Sequence, residues 1–258
     1  MSSIKGYSVG EISAQAAFTS EIDMEGLPPL QDVVNHQEIH RVSMDARPGM
    51  YLKYLPVRYD AVTGGLLSGG AYLFDTHQNA SNYWDWTTNE FAVEGGVKFW
   101  SQPMFTAAQR FVWQVIGAVN FAPVDVHAVG RFQRWSYDGN DADTELRRVY
   151  PELKVKAEEQ GAVAFWLLHH PREKQIAVQL AFPKRDGGAD PRAVGNESLA
   201  YAESQVDLGT FFPASIQAKK QVDRTSLFIT LWLPRSRLAG GVAYSHPMYP
   251  TYPAVQKQ

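Results

Sequence analysis

The sequence predicts an α+β chain of two tandem ferredoxin-like units, each running βαββαβ, with residues 1–122 as the first and 123–258 as the second. Three observations predict it. Residues 69–91, GGAYLFDTHQNASNYWDWTTNEF, read as one buried strand turning directly into one amphipathic helix. Two strand pairs, one in each half, are separated by turn-forming residues as hairpins require. The same order of strand, helix, hairpin, helix and strand then runs through both halves, although their sequences show no visible similarity.

In the first half, residues 12–19 (ISAQAAFT) form the opening strand and Gly26 to Pro29 break it. Residues 30–44 carry Leu30, Val33, Val34 and Ile39 on an incomplete helical stripe that Arg47-Pro48-Gly49 stops. Residues 50–59 (MYLKYLPVRY) and the strand at 71–74 (AYLF) make the hairpin, joined by the Gly-rich DAVTGGLLS. AYLF is continuously apolar, as a strand covered on both faces is. Asp75 with Gln78 three residues on forms a capping box, and Ala80, Tyr83, Trp84, Thr87 and Phe91 share one face of the helix that follows. Gly95-Gly96 ends that helix, and residues 97–105 (VKFWSQPMF) are expected to be the fourth strand. Periodicity leaves residues 111–121 (FVWQVIGAVNF) open between a further strand and a buried helix.

In the second half, residues 124–135 form a strand and 144–160 the clearest helix, with Leu146, Val149, Tyr150, Leu153 and Ala157 as its stripe. Asp143 or Thr144 caps it and Gly161 terminates it. Residues 162–168 and 175–182 make the second hairpin, with His169 to Lys174 as a hydrated turn. A helix burying Leu199, Tyr201, Ala202 and Val206 and a strand at 227–233 complete the unit. The Tyr- and Pro-rich residues 244–258 read as an extended end, either loose or laid across a neighbouring surface.

A chain of 258 residues, 45% of them hydrophobic, buries a core without metal or disulfide support. A formal net charge of −3 and scattered basic residues argue against nucleic acid as a partner. With no cysteine, disulfides, a thiolate nucleophile and Cys-ligated zinc or iron–sulfur groups are excluded. The expected location is cytoplasmic, with no membrane partner, because the first residues lack a signal pattern and the longest apolar run, 111–124, is interrupted by Gln114 and Asn120. Seven Trp, twelve Tyr and thirteen Phe point to an aromatic-walled cavity for a small hydrophobic or aromatic substrate, unless the rings serve packing alone. Assembly into a homo-oligomer is left open.

The pattern Gly69-Gly70-x-Tyr72-Leu73-Phe74, then Asn79-Ala80-x-x-Tyr83, followed by residues 97–105, resembles the small monooxygenase-like proteins of the dimeric α/β-barrel superfamily. The resemblance covers residues 47–105 and includes Pro48-Gly49. It implies two ferredoxin-like sheets pressed into a barrel, each with a pocket between sheet and helices. It also implies kinship with cofactor-free monooxygenases of aromatic antibiotic biosynthesis, although isomerases, polyketide cyclases and haem-dependent enzymes share the scaffold. The chain is about twice the length of the small family, so the expected α/β barrel closes within one chain.

Several constellations carry candidate chemistry. His36 and His40, four apart with Asp32 one turn earlier, have metal-ligand spacing but no recognisable third ligand, so no metal is expected. His127 lies in VDVHAVGRF, where alternation places it on one face with Asp125, Val129 and Arg131. A neutral imidazole there can act as a base, and a core histidine bonded to backbone explains it equally. Tyr54 and Arg58 can present a hydroxyl and a cation to an enolate, or form an amphipathic edge. Tyr72, Tyr83, Trp86, Trp135 and Trp166 are the candidate substrate-binding rings, with core packing as their alternative role. No phosphate-binding glycine loop or hydrolase elbow occurs. The expected function is therefore a cofactor-independent monooxygenase of an aromatic or polyketide-like molecule, with His127, Arg131, Tyr54 and Arg58 as catalytic candidates. An isomerase, cyclase or lyase using the same proton transfer, and a non-catalytic aromatic-ligand-binding protein, are the alternatives.

Overall fold

The computed structural model describes residues 9–25, 43, 47–59, 65–124, 128–138, 142–185 and 197–232. In the first half the strands are β1 (Gly10–Glu11), β2 (Ala16–Met24), β3 (Met50–Tyr59), β4 (Leu66–Phe74) and β5 (Phe105–Asn120), with helix α1 (His77–Asn89) between the last two. The second half contributes β6 (Val129–Tyr137), α2 (Ala142–Glu159), β7 (Ala164–His170), β8 (Gln175–Phe182), α3 (Glu197–Ser204) and β9 (Ala218–Trp232). The expected helix at 30–44, His36 and His40, His127, and the Tyr- and Pro-rich end lie outside the described residues.

All nine strands belong to one antiparallel sheet, ordered β1-β5-β2-β4-β3-β9-β6-β8-β7, and β7 pairs in turn with β5. With β1 set aside as a short appendage, the ladder returns on itself as a ring. Two long strands make this possible. β5 pairs with β2 from Phe105 to Gln114 and with β7 from Gln114 to Asn120. β9 pairs with β6 from Ala218 to Leu227 and with β3 from Leu227 to Trp232. Each therefore borders both half-sheets.

Residue alternation sorts the side chains into two environments. In β6, Val129, Arg131, Trp135 and Tyr137 face the helices, whereas Phe132 and Arg134 face the inside of the ring. Leu146, Val149, Leu153 and Ala157 of α2 are buried, which follows their helical spacing, and cover Phe165, Leu167 and Val178. Pro151 sits inside this helix, so one backbone donor is missing from its ladder. The other face of the ring holds a stack in which the Tyr54 ring lies 5.0 Å from Trp166 and 4.3 Å from Phe228, centroid to centroid.

Several boundaries differ from expectation. Residues 97–104 hold a short 3-10 helix, Phe99–Ser101, and one isolated bridge, Ala92 to Lys98, and not the fourth strand. That strand is β5, which takes up residues 111–120 and settles their ambiguity. Its one face meets Trp113 and Phe111 partners inside the ring, while Gly117 on the other leaves room for Tyr150 of α2. The cap of α1 is Thr76, whose Oγ1 accepts from the Asn79 backbone N–H at 3.2 Å. Asp75 instead accepts from the Asn79 side chain at 2.7 Å. Asp143 and Thr144 lie within the first turn of α2. His169 and His170 end β7, leaving Pro171 to Lys174 as the turn, and Val206 is 53% exposed and not buried.

The Gly69-Gly70 pair within β4 has a steric reason at Gly69. A Cβ there would stand 2.1 Å from the Ser20 backbone oxygen of the neighbouring β2. Gly69→Ala is expected to force β2 and β4 apart and lower stability by about 1–3 kcal/mol, measured by denaturant unfolding. An unchanged midpoint would show that the strands yield without strain.

Candidate functional site

The helix-covered face of the first half-sheet gathers the chemistry. Phe18 of β2 and Tyr72 of β4 point toward α1, which returns Tyr83, Trp84 and Trp86 at helical spacing. Tyr83 packs 5.0 Å from both Phe18 and Tyr72 and 6.0 Å from Trp86. The Arg47 guanidinium covers the Trp86 ring at 4.2 Å, a cation–π contact, and is tied to the Ser43 carbonyl at 3.2 Å. Beside them Lys53, paired across the ladder with Tyr72, carries its Nζ 5.4 Å from the Tyr72 ring centre.

Lys53 is 5% exposed, which is rare for a lysine. Loss of solvation pushes its ammonium down from 10.5 to about 7. The phenols respond in the opposite direction, because burial penalises their charged form. Burial pushes Tyr72 up to about 12, against a hydrogen bond with Tyr83 that lowers it. Burial likewise raises Tyr83 well above its ordinary value, with Tyr72 adding to the effect and Arg47 opposing it. At neutral pH the cluster thus combines a titrating amine with phenols that remain hydrogen-bond donors.

Of the sequence-derived candidates, Tyr72, Tyr83 and Trp86 meet in this cluster. The other candidates among the described residues lie elsewhere. Arg131 faces the helices of the second half, donating to both Asp223 carboxylate oxygens at 2.9 and 2.8 Å and to the Ala202 and Gln205 carbonyls at 3.1 and 2.8 Å. It fastens the end of α3 to the sheet. Arg58 donates to Glu203 and Thr225 nearby. Trp135 packs on Phe212 and Gly209 under the same layer, and Tyr54 and Trp166 belong to the ring stack inside the sheet. Lys53 was the residue that sequence reasoning passed over. Its signal was present: it is the one lysine in MYLKYLPVRY, a strand otherwise apolar enough to be covered on both faces.

A second polar constellation lies inside the ring, on the opposite face of β2. Glu21 and Arg134, with side chains 8% and 9% exposed, form an ion pair across the two half-sheets. Arg134 donates from Nε at 2.9 Å and Nη2 at 3.3 Å to the two carboxylate oxygens, and further to Gln175 at 3.2 Å and Gln109 at 2.8 Å. A third group joins β6 to β7, with Tyr137 Oη 2.9 Å from His169 Nε2 and Asp143 3.6 Å from His169 Nδ1. Burial lowers the His169 imidazole, with Asp143 opposing, so it stays neutral at pH 7. Among the described residues no cluster of three or more His, Cys, Asp or Glu is placed to hold a metal ion, and no helix is long and apolar enough to cross a membrane.

These features define a class by fold: an α+β protein in which one antiparallel sheet curls into a ring beneath helices. In fold the chain is similar to a candidate monooxygenase from Fusobacterium nucleatum subsp. nucleatum, at 12% identity and a TM-score of 0.53, covering 91% of this chain and 100% of that one. It is likewise similar to a candidate monooxygenase from Lactobacillus acidophilus NCFM, at 11% identity and a TM-score of 0.50, with 85% and 97% covered. An anthrone oxidase-like protein matches at 8% identity and a TM-score of 0.50, with 88% and 96% covered. At such identities the likeness is one of fold. No family model and no curated protein matches the sequence.

Proposed function

We propose that the chain is an oxygenase of small aromatic, polyketide-like molecules, with Lys53 as the proton acceptor. We read its architecture as two tandem ferredoxin-like units, divided near residue 122, whose sheets close an α/β barrel. The spatial order supports that reading: each half runs fourth, first, third, second strand, β5-β2-β4-β3 and β9-β6-β8-β7. The monooxygenase-like fold and the anthrone oxidase-like neighbour favour an activated aromatic methylene as the substrate.

The observation that carries the chemistry is the buried Lys53 amine, its pKa pushed down to about 7, beside the Tyr72 ring, which packs on Tyr83 and through it on Trp86. The neutral amine removes a proton from a methylene that lies between two aryl rings and is conjugated through them to a carbonyl group. The carbanion gives its electrons to dioxygen and forms a C–O bond. Protonation yields a hydroperoxide, which loses water to leave a ketone, so CH2 and O2 become C=O and H2O. The substrate is the reductant and dioxygen the oxidant, and no separate electron carrier enters the balance. The protonated Tyr72 and Tyr83 phenols donate to the oxyanion that develops during proton removal.

An oxygen electrode with anthrone as probe tests this reading. One dioxygen is expected to disappear per quinone formed. Conversion of a substrate at an equal rate under argon would transfer the same residues to the isomerase, cyclase or lyase reading. Saturable binding without turnover in air would make the site a ligand-binding one.

A further inference from the structure

We propose that Arg47 sets the substrate class of the Lys53 site: it holds a carboxylate, so the molecule taken is an aromatic acid and not a neutral ring system. The reaction this acid undergoes rests on the oxygenase reading, whereas its capture by Arg47 does not. The contacts form a row with a basic group at each end. Lys53 Nζ lies 5.4 Å from the Tyr72 ring centre, Tyr72 packs on Tyr83 at 5.0 Å, Tyr83 on Trp86 at 6.0 Å, and the Arg47 guanidinium covers Trp86 at 4.2 Å. A flat apolar body laid along these rings meets a proton acceptor at one end and a guanidinium at the other.

Other arginines spend their donors on the chain itself. Arg58, Arg131 and Arg134 donate to the carboxylates of Glu203, Asp223 and Glu21 in turn. Arg110 is held between two indoles, 4.4 Å from Trp84 and 4.6 Å from Trp100, and donates to Thr88 at 2.7 Å. Arg47 is different. Its Nε donates to the Ser43 carbonyl at 3.2 Å and one face of the group rests on Trp86, which together fix its plane and direction. Among the described residues Nη1 and Nη2 have no hydrogen-bond partner and no carboxylate pairs with the group, and neither nitrogen is closed off from solvent. Asp75, whose backbone N–H donates to the Gly49 carbonyl two residues beyond Arg47, gives its carboxylate to the Asn79 side chain at 2.7 Å instead. Two N–H groups on a fixed plane match the two oxygens of a carboxylate, which an aryl acid carries close to the plane of its ring. The Arg47 charge reaches into the row, where it opposes the rise that burial imposes on the Tyr83 phenol. Lys53 sheds its proton to act as a base, so the charge that persists is that of Arg47, and a single anionic group balances it. A phosphate monoester would bring close to two negative charges against one cation.

Calorimetric titration of the full-length chain with anthraquinone-2-carboxylate, which has no methylene to oxygenate, tests binding apart from turnover. Its methyl ester and anthraquinone-2-sulfonate are the controls. The acid is expected to bind roughly 10- to 100-fold more tightly than the ester, the usual range for a hydrogen bond to a charged group. Arg47→Met is expected to bring the ratio of acid to ester affinity close to unity, and Arg47→Lys, which keeps the charge but not the planar fork, to retain only part of it. In turnover the oxygen electrode is expected to show the same preference for an anthrone carboxylic acid over its ester, carried by KM and not by kcat. The proposal is overturned if acid and ester bind the parent protein equally, if the acid does not bind, if the sulfonate binds more tightly than the carboxylate, or if the preference survives in Arg47→Met. Preference for the acid with no oxygen consumed would keep the role of Arg47 and remove the oxygenase reading. Oxygen uptake from anthrone with no preference for the acid would do the reverse.

Discussion

Lys53→Met is expected to lower kcat/KM for an anthrone-type substrate by about 10²–10⁴-fold, the usual contribution of a positioned base. The same substitution is expected to stabilise the protein at pH 6, because a side chain of similar length replaces an ammonium taken out of water, a change worth about 1–4 kcal/mol in comparable cases. Loss of activity with gain of stability separates a functional residue from a structural one. The pH dependence adds a second signature. Burial holds Lys53 at about 7 in the folded protein, below its ordinary 10.5. Between these values the unfolded chain binds the extra proton, so stability rises with pH across that window and is lowest below it. The full rise is on the order of 4–5 kcal/mol. In the parent protein kcat/KM is expected to climb to a plateau with an apparent pKa of about 7, and stability to increase from pH 7 to 10. Lys53→Met is expected to lose both trends. A variant with parental turnover and an unaltered stability profile would remove Lys53 from the mechanism.

Arg134→Ala is expected to have the largest purely structural effect. Glu21 and Arg134 satisfy each other across the ring, and deleting the cation strands a carboxylate that is 8% exposed. Breaking one partner of such a pair costs about 3–5 kcal/mol. For a chain of this length that corresponds to a fall in Tm on the order of 10 °C. Glu21→Leu combined with Arg134→Met removes both charges, and most of the loss is expected to return. Calorimetric melting of the three proteins measures this. A double variant as unstable as Arg134→Ala would assign the effect to Gln109 and Gln175 contacts and not to the stranded charge.

The elements most legible in the sequence were those with strong local patterns. β3, β8 and the stripe of α2 fell where periodicity and turn residues put them, because burial on a defined face constrains side chains at fixed spacing. The fourth strand of the first half was misplaced by local signals. VKFWSQPMF has strand-like rings, but its bulk packs in a chain of ring contacts from Trp86 through Phe91 and Phe99 to Phe105, and of these residues Phe105 alone joins a ladder, as the first residue of β5. β5 was ambiguous because its halves face different surroundings, and a bulge between Val115 and Gly117 resets its alternation. At the candidate site, Tyr72, Tyr83 and Trp86 were readable from one strand–helix unit. The Glu21–Arg134 pair was not, since its significance comes from the burial of charge by segments distant in sequence, and for Lys53 the apolar run around it was the one signal. Which face of β6 looks toward the helices was equally invisible: alternation grouped Arg131 with Val129 but gave no direction.

The shared borders of the sheet carry a consequence for how the molecule is made. β5 is chain of the first half yet supplies the rim on which β7 is laid, and β9 does the reverse service for β3. During synthesis the leading half therefore waits for the last described strand to emerge before its own outer edge is covered. Loss of that trailing segment would uncover β3 more than 150 residues upstream, so a late truncation acts as an early lesion.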